Sequence, residues 1–314
     1  MKTQRILSAG SINMDLIMTV SRFPRPGENV FGGTYGYFAG GKGANQAVAA
    51  QLQGAVVTFA GKVGDDVYGD RLRTMLKGRG INTDFLFKDT TKPSGLAVIM
   101  IDDTGNNRII SFAESNMAIT DDEISSVFSR NYDFLMLQFE INADAVIKAC
   151  EKARSMGIPY VIDAGPAMDF PLERIAGMEI LSPNETEAEA LCGVTISSKD
   201  TAEKAARLLF NRARPRYVVQ KLGENGAMLF DGTECQFFPA LKVDNVVDPT
   251  AAGDVFTAAM TVQYATHRDI RRAVSYANVA GALAVTRIGA QDSIPTAQET
   301  AAFANINGGR SNNV

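Results

Sequence analysis

Short apolar segments alternate with helical patterns from residue 120 onward, and this alternation constrains the fold more than any other feature of the sequence. Strands that alternate with helices along the chain predict a mostly parallel sheet flanked by helices. At 314 residues the chain can bury such a sheet as one large α/β domain, or as a domain with an insertion. The predicted elements are helix Asp121–Phe128, strand Phe134–Leu137, helix Ala143–Ser155, strand Tyr160–Ile162, helix Leu172–Ala176, strand Ile180–Ser182 and strand Tyr217–Lys221.

The first third of the chain carries further strand patterns. Strands are predicted at Arg5–Gly10, Asn13–Val20 and Asn29–Phe38, and a hairpin joins Ser94–Ile101 to Arg108–Ala113. The hairpin strands contain more apolar residues than a sheet with one solvated face would carry. We expect a ligand cleft or a second copy of the chain to cover them.

The stretch Val246–Ala259 has the pattern of a strand end, a turn and a helix start. Pro249 biases the residue before it away from helix, and the residues after it are too small to block a ligand. The first N–H groups of a helix and its dipole suit a phosphate or a developing anion. Asp254 beside that anion could orient an alcohol and accept its proton, which is phosphotransfer chemistry. The alternative is that Asp254 only stabilises the helix start.

Polar residues also follow the ends of several predicted strands. Glu140 follows Leu137, Asp163 follows Ile162, and Asn184 and Glu187 follow the next strand. Parallel α/β sheets bind ligands beyond the carboxyl ends of their strands, so these side chains are candidates for a site. Gly223 and Gly226 follow the strand at Tyr217–Lys221 and could let a nucleotide lie against the backbone. Solvated loops or helix caps are the alternative.

Near the start of the chain, Asn13 and Asp15 stand two residues apart. On an extended strand that spacing puts both side chains on one face, where they could bind adjacent hydroxyls of a polyol; an ordinary strand-end turn is the alternative.

The turn at residues 40–45, GGKGAN, leads into a predicted helix at Gln46–Leu52. A P-loop is excluded because Gly43 stands where a Ser or Thr is needed, and a dinucleotide fingerprint is excluded because no GxGxxG follows the first strand. Two interpretations remain. Either the loop lets a ligand approach its backbone closely, with Lys42 and Asn45 as polar contacts, or it is a purely structural turn.

Composition excludes several classes of function. The formal charge of −4 provides no general attraction for nucleic acid. Three well-separated cysteines fit neither a disulfide framework nor a zinc site, and a reduced cytoplasm is expected. Polar residues interrupt the apolar start of the chain, so neither a signal peptide nor a membrane span is expected there. The single histidine, His267, makes Ser/His/Asp catalysis an unattractive hypothesis.

Seven motifs in order resemble the ribokinase family, within the wider phosphofructokinase-B group of sugar and nucleoside kinases. They span essentially the full chain: GSINMD near the start, GGKGANQAVAA at 40–50, LQFE at 137–140, PNETEAE at 183–189, KLGENGA at 221–227, DPTAAGD at 248–254 and AVTRIGAQDSIP at 284–295. The resemblance implies a three-layer α/β fold, with a central mostly parallel sheet flanked by helices and a small β-sheet lid. It assigns residues 1–12, 39–94 and 114–304 to the α/β domain and residues 13–38 and 95–113 to the lid; residues 305–314 are expected to be a disordered tail.

The resemblance also implies roles for individual residues. Asp254 would be the base acting on a primary hydroxyl, with Gly253, Ala252 and Ala251 forming an anion hole. The sugar would contact Asn13, Asp15, Gly41, Lys42, Asn45 and Glu140. ATP would contact Asn184, Lys221, Gly223, Gly226, Gly253 and Asn278, with Glu187 organising Mg²⁺ through water. A monovalent cation such as K⁺ would bind Asp248, Thr250, Ser293 and carbonyls at Ala284, Arg287 and Gly289.

The expected activity is ATP-dependent phosphorylation of the primary hydroxyl of a sugar, with D-ribose the leading candidate. A deoxyribose, ketohexose or nucleoside kinase is the alternative within the family, and a catalytically silent sugar-binding regulator is the non-enzyme alternative. The lid is expected to form a homodimer contact. Some positions depart from the family pattern: Pro249 and Lys221 each replace a Thr, Asp163 replaces an Asn, and residues 114–117 replace a Gly/Ala-rich segment.

Overall fold

Wholly buried runs of residues form the central strands of the protein. All four residues of Phe134–Leu137 and all four of Tyr160–Asp163 are buried. A strand buried on both faces needs helices on both sides, and the intervening segments supply them. The computed structural model describes residues 2–308, and within that range the strands form a large sheet of nine strands and a small sheet of four.

The strands, in chain order, are β1 (Arg5–Ala9), β2 (Asn13–Val20), β3 (Gly32–Gly40), β4 (Val56–Gly64), β5 (Asn82–Asp89), β6 (Gly95–Asp102), β7 (Asn107–Phe112), β8 (Phe134–Leu137), β9 (Tyr160–Asp163), β10 (Ile180–Ser182), β11 (Tyr217–Lys221), β12 (Ala227–Phe230) and β13 (Cys235–Phe238). The helices are α1 (Lys42–Leu52), α2 (Val67–Gly78), α3 (Asp121–Val127), α4 (Ala143–Ser155), α5 (Glu185–Cys192), α6 (Lys199–Ala213), α7 (Ala252–His267), α8 (Ile270–Ala284) and α9 (Ala297–Gly308). Short 3₁₀ helices lie at Glu114–Ala118, Leu172–Ile175 and Gly223–Asn225.

The large sheet has the order β13-β12-β11-β10-β9-β8-β1-β4-β5. Strands β5 to β11 along this order run parallel, and β12 and β13 add antiparallel strands at one edge. One hydrophobic core, under α1, α7 and α8, covers one face, and a second core under α4 and α6 covers the other. The predicted three-layer fold class is therefore confirmed.

Helices α1 and α7 pack side by side on the same face of the large sheet. Their first turns meet, since Asn45 in α1 donates a hydrogen bond to Asp254 in α7. Parallel strands place the start of each following helix beyond their carboxyl ends, so the functional side chains gather at this edge.

The small sheet has the order β3-β2-β6-β7. Register places Asn13 and Asp15 on the face that also carries Ile109, while Ile110 points to the opposite face. Several large apolar side chains of this sheet and its loops are exposed to solvent. They are Phe31 (92%), Tyr35 (74%), Ile109 (56%), Ile110 (52%) and Phe112 (45%).

Some predicted element bounds differ from the observed ones. Helix α1 begins at Lys42 rather than Gln46, because Gly41 with φ of 90° starts the helix and Gly43 lies inside it. A Cβ on Gly43 would lie 2.6 Å from the Gly10 carbonyl carbon, so this glycine permits close helix–strand packing rather than a longer turn.

Two further predictions need correction. Leu172–Ala176 forms a 3₁₀ helix that ends at Ile175 rather than an α-helix, and the strand predicted at Asn29–Phe38 lies at Gly32–Gly40. Helix α9 continues to Gly308, so residues 305–308 of the predicted disordered tail are helical; residues 309–314 of that prediction lie outside the described residues.

Candidate active site

Asp254 lies in the first turn of α7 and is only 5% exposed. The helix follows Ala251, which has φ of 61° in the left-handed region, and within the described chain no side chain caps its first turn. A non-glycine residue in this conformation costs of order 1 kcal/mol and is found where the surrounding structure fixes it. The turn thus leaves helix N–H groups available to an anion next to a buried carboxylate.

Two consecutive amides of α1 hold the Asp254 carboxylate. Asn45 Nδ2 donates to Oδ2 at 3.0 Å, and Gln46 Nε2 donates to Oδ1 at 3.1 Å. Gln138 Nε2 donates to Gln46 Oε1 at 2.6 Å, which fixes the orientation of the Gln46 amide. Burial raises the pKa of Asp254 above its ordinary value, against the opposing effects of Lys42 and the two amides. Asp254 is therefore a stronger base than the helix dipole alone would make it.

Asp163, at the end of β9, is completely buried and accepts three hydrogen bonds. Lys221 Nζ donates to its Oδ1 at 2.6 Å, while Gln46 Nε2 and Thr257 Oγ1 donate to its Oδ2 at 2.8 and 2.9 Å. Lys221 Nζ also lies 3.7 Å from Glu187 Oε2. Gln46 thus bridges Asp163 and Asp254 through a single amide nitrogen.

The predicted sugar-binding residues gather where the small sheet meets the start of α1. Glu140 Oε2 accepts from the Lys42 backbone N–H at 3.0 Å and from the Ser11 hydroxyl. Asn13 Oδ1 accepts from Asn116 Nδ2 at 2.7 Å, which leaves the Asn13 amide N–H groups free to donate to a ligand.

Asp15 is 8% exposed on the same face of the small sheet as Asn13. Burial, with the nearby charge of Glu140, raises the pKa of Asp15 to about 7. A carboxyl group poised at neutral pH changes between hydrogen-bond donor and acceptor over a narrow range.

A cavity of about 910 Å³ lies on the other side of Asp254. All six residues predicted to contact the nucleotide line it: Asn184, Lys221, Gly223, Gly226, Gly253 and Asn278. Five other predicted site residues also line it: Lys42, Glu187, Ala251, Ala252 and Asp254. The part of the wall that was not predicted from the sequence is mostly apolar and includes Leu241, Val243, Val246, Phe256, Gly281, Ala282 and Val285. A cavity lined by both polar and apolar groups suits a ligand that carries a phosphate tail and a flat ring.

Two of these polar residues also have structural partners. Asn184 and Glu187 form a reciprocal capping box at the start of α5, with Asn184 Oδ1 accepting from the Glu187 N–H at 2.8 Å and Glu187 Oε2 accepting from the Asn184 N–H at 2.7 Å. Asn278 Nδ2 donates to the Phe238 carbonyl at 3.2 Å. Asn184 and Asn278 thus line the cavity and also hold in place the segments that form it.

Asp248 joins the two segments predicted to hold a monovalent cation. Its Oδ1 accepts from the Thr250 N–H and its Oδ2 from the Gly289 N–H, each at 2.9 Å. Ala284 ends α8, so its carbonyl lies at the negative end of a helix dipole. Ser293 is buried and donates to the Ala290 carbonyl rather than to this cluster.

The structure thus brings together the predicted sugar, nucleotide and base residues around one edge of the large sheet. Sequence reasoning missed Gln46, Ser11, Asn116 and Thr257. Gln46 carried one usable signal in the sequence, since it is a polar residue within an alanine-rich helix; in the structure it is completely buried.

Comparison with known proteins decides the family. Residues 3–297 match the profile described as pfkB family carbohydrate kinase. This chain belongs to the pfkB family of carbohydrate kinases. The family resemblance predicted from the seven motifs is thereby confirmed.

The similar proteins within this family include ribokinases, and also the deoxyribokinase of Salmonella typhi, which is 30% identical over 301 residues that cover 95% of this chain and 98% of that protein. The ribokinase of Bacillus subtilis (strain 168) is 35% identical over 303 residues, which cover 94% of this chain and 98% of that protein. The structure of Arabidopsis thaliana ribokinase complexed with ribose and ATP superimposes with a TM-score of 0.88 at 30% identity, covering 96% of this chain and 99% of that chain. The bifunctional ribokinase/ribose-5-phosphate isomerase A of Fructilactobacillus sanfranciscensis is 33% identical over 297 residues, so this chain spans 55% of that longer protein.

Residues 2–308 lack two further features. None of the helices in that range is long and apolar enough to cross a membrane. In the same part of the chain, three or more His, Cys, Asp or Glu side chains are nowhere grouped so as to hold a metal ion.

The raised pKa of Asp15 predicts a pH-dependent effect on stability. The pKa of Asp15 is about 7 in the folded state and 3.8 ordinarily, so between these pH values the folded state holds a proton on Asp15 that the unfolded state has lost. The free energy of unfolding therefore falls as the pH rises from about 4 to 7. Asp15→Asn removes this loss. The variant should gain in free energy of unfolding over the unmodified protein by up to about 1.4 kcal/mol per pH unit from pH 4 to 7, and the gain should level off above pH 7.

Urea unfolding at each pH measures this difference. Asp103→Asn, at an exposed position in the turn between β6 and β7, is the matched control and should change stability by less than about 0.5 kcal/mol. A difference between Asp15→Asn and the unmodified protein that stays constant from pH 5 to 8 would contradict the assignment.

Proposed function

We propose that this kinase transfers the γ-phosphoryl group of ATP to the primary hydroxyl of a sugar, and that the sugar is D-ribose. The observation that carries the proposal is the position of Asp254. It is a buried carboxylate at a helix start that contacts Asn45 of the polar cluster suited to a polyol and also lines the cavity of about 910 Å³ suited to a nucleotide. The similarity to ribokinases over nearly the full chain supports ribose.

The polar cluster offers both kinds of hydrogen bond that sugar hydroxyls need. Asn13 supplies amide donors, the carboxyl oxygens of Glu140 supply acceptors, and Asp15, with its pKa of about 7, can donate or accept. With these contacts the sugar would be held so that its primary hydroxyl reaches Asp254. Deoxyribose, a ketohexose or a nucleoside would use the same base and remain outcomes of a substrate test.

The chemistry follows from the arrangement around Asp254. The hydroxyl oxygen attacks the γ-phosphorus, its proton passes to Asp254, and the bond from phosphorus to the bridging oxygen breaks to release ADP. The N–H group of Gly253 at the helix start would stabilise charge on the transferred group, whereas the N–H of Ala252, a predicted member of the anion hole, donates to the Pro249 carbonyl at 3.2 Å. Asn45 and Gln46 hold both oxygens of the base, so that it is aligned before the substrate arrives.

Two cations complete the proposal. Glu187 would organise Mg²⁺ through water; it lines the cavity, and only its Oε2 is committed to the helix cap. Asp248, Thr250 and the carbonyls of Ala284, Arg287 and Gly289 would hold K⁺, because carboxylate and carbonyl oxygens suit a hard cation. Ser293 would support this site through the backbone at Ala290. The bound cations would supply positive potential beside the helix start.

The small sheet would act as the lid, with residues 13–38 and 95–113 moving relative to residues 1–12, 39–94 and 114–304. Closure would exclude water, which otherwise competes with the sugar as nucleophile. We place the protein in the cytoplasm, where its three cysteines, which are free in the structure, would stay reduced.

Asp254→Asn tests the assignment of the base. The substitution keeps the shape of the side chain but removes the proton acceptor, so kcat should fall by about 10²- to 10⁴-fold while sugar affinity changes little. Steady-state ADP release and calorimetric sugar binding measure the two quantities. Asp144→Asn, in the first turn of α4, is the matched control and should leave both unchanged. Near-normal turnover by folded Asp254→Asn would contradict the assignment of Asp254 as the base.

Potassium dependence tests the monovalent cation site. Turnover should be faster in K⁺ than in an equimolar large organic cation, because a bound ion fixes the turn before α7. Asp248→Ala should lose this difference, and Asp244→Ala, an exposed neighbour, should retain it. Equal rates of the unmodified protein in both salts would remove the cation from the proposal.

The exposed face of the small sheet predicts a homodimer. Ile110 lies on the face opposite Asp15, together with Tyr35 and Phe112, and a two-fold partner presenting the same strands would cover these side chains. Ile110→Asp should therefore shift the protein to monomer in sedimentation at micromolar concentration. Ile109→Asp changes the neighbouring side chain on the Asp15 face and should leave the dimer intact. A monomeric unmodified protein, or a dimer that survives Ile110→Asp, would refute this contact.

A further inference from the structure

Lys221 and Asp163 form a buried ion pair at the carboxyl edge of the large sheet. The two atoms Lys221 Nζ and Asp163 Oδ1 are 2.6 Å apart, and the side chains are 11% and 0% exposed. Lys221 ends β11 and Asp163 ends β9, with β10 between them. These are two of the positions at which the chain departs from the sequence pattern of its family.

Stability alone is a weak explanation for a buried ion pair. Removing two charges from water costs several kcal/mol per ion, and a packed apolar pair often serves the fold as well. Asp163 is fully satisfied by Lys221, Gln46 and Thr257, but Lys221 is not. An ammonium has three N–H donors, and only one is used at hydrogen-bond distance, by Asp163; Glu187 at 3.7 Å is an ion pair beyond that distance.

The remaining Lys221 donors lie beside the helix start that carries Asp254. A Cβ added to Gly253 would lie 3.8 Å from Lys221 Nζ, and both residues line the cavity. Burial alone would lower the pKa of Lys221, but the charges of Asp163 and Glu187 outweigh it and hold the pKa above its ordinary value. The ammonium thus stays charged in the wall of the cavity, beside Gly253.

We propose that Lys221 is a catalytic residue that binds the transferred phosphoryl group, and that Asp163 is the positioning residue that aims it. The proposal rests on the proposed kinase function. In the transfer step the sugar oxygen bonds to the γ-phosphorus, the hydroxyl proton moves to Asp254, and the bridging oxygen leaves on ADP with the bonding electron pair. Lys221 exchanges no proton; it donates hydrogen bonds to phosphoryl oxygens from start to finish.

Asp163 links this cation to the base. Its Oδ2 and the Asp254 Oδ1 share the Gln46 amide nitrogen as donor, at 2.8 and 3.1 Å. One rigid set of hydrogen bonds therefore positions the group that accepts the proton and the group that binds the phosphoryl. Substitution of Asp163 alone should disturb the positions of both Asp254 and Lys221, because it leaves Lys221 buried without its counter-charge.

Charge removal in two steps tests the proposal. Lys221→Met alone leaves Asp163 as an uncompensated buried charge and should lower both the melting temperature and kcat. The double variant Asp163→Asn with Lys221→Met removes both charges and should recover the melting temperature, but kcat should stay at least about 100-fold below normal. Its affinity for the ATP analogue AMP-PNP should fall about 10- to 100-fold, while its affinity for ADP, which lacks the γ-phosphate, should change less than about threefold.

Lys62 provides the matched control. It is also a buried lysine in ion pairs, with Asp89 and Glu123, but it does not line the cavity. Lys62→Met should lower the melting temperature without changing the ratio of AMP-PNP to ADP affinity. Recovery of near-normal kcat and of the affinity ratio in the double variant would overturn the proposal, since Lys221 would then only neutralise Asp163. An unmodified protein that phosphorylates no sugar would instead overturn the kinase function on which the proposal rests.

Discussion

The hydrogen bonds from α1 to the Asp254 carboxylate are the interaction on which the rest of the site depends. Asn45 and Gln46 are adjacent in sequence, and each binds one oxygen of the same carboxylate. This arrangement requires the first turns of α1 and α7 to meet, which in turn requires both helices to pack on one face of the large sheet. The orientation of the base therefore depends on the packing of α1 against α7, and that packing depends on the order of the strands in the large sheet.

Electrostatic balance is the second constraint. Burial would lower the pKa of Lys42, but Asp254, Asp163, Glu140 and Glu187 together hold it well above its ordinary value. With Lys221 as the second cation, two ammonium groups face four carboxylates in a poorly solvated region. The excess negative charge accounts for the raised pKa of Asp254 only in part, because burial contributes most. The excess negative charge also gives a physical reason for a phosphate-binding site to bind further cations.

The sequence predicted the fold well where local pattern and packing agree. The alternating segments after residue 120 are buried on both faces, so their period and length were sufficient to predict a parallel sheet. Glu140 and Asp163 were placed correctly at one edge, since parallel strands end together. The sequence pattern misplaces the start of α1 because it favours a turn at Gly43, whereas contact with Gly10 determines the role of this glycine.

Other features depend on long-range contacts that no local pattern contains. Gln46 bridges two carboxylates from distant segments, and Asn116 orients Asn13 across 103 positions of sequence. The apolar wall of the cavity combines an exposed loop residue, Val246 at 61%, with a buried helix residue, Phe256 at 6%, and no local pattern groups the two. Such roles become visible only when the chain is folded.

Phosphoryl transfer to a sugar is the central claim, and analysis of the reaction products by ³¹P NMR tests it most directly. The purified protein would be incubated with ATP, Mg²⁺ and K⁺ and, in separate samples, with ribose, deoxyribose, fructose and several nucleosides. The account predicts ADP and a phosphomonoester on the primary hydroxyl of ribose in equal amounts, formed faster than with the other acceptors. Release of ADP without a phosphorylated acceptor, or no reaction with any of them, would contradict it.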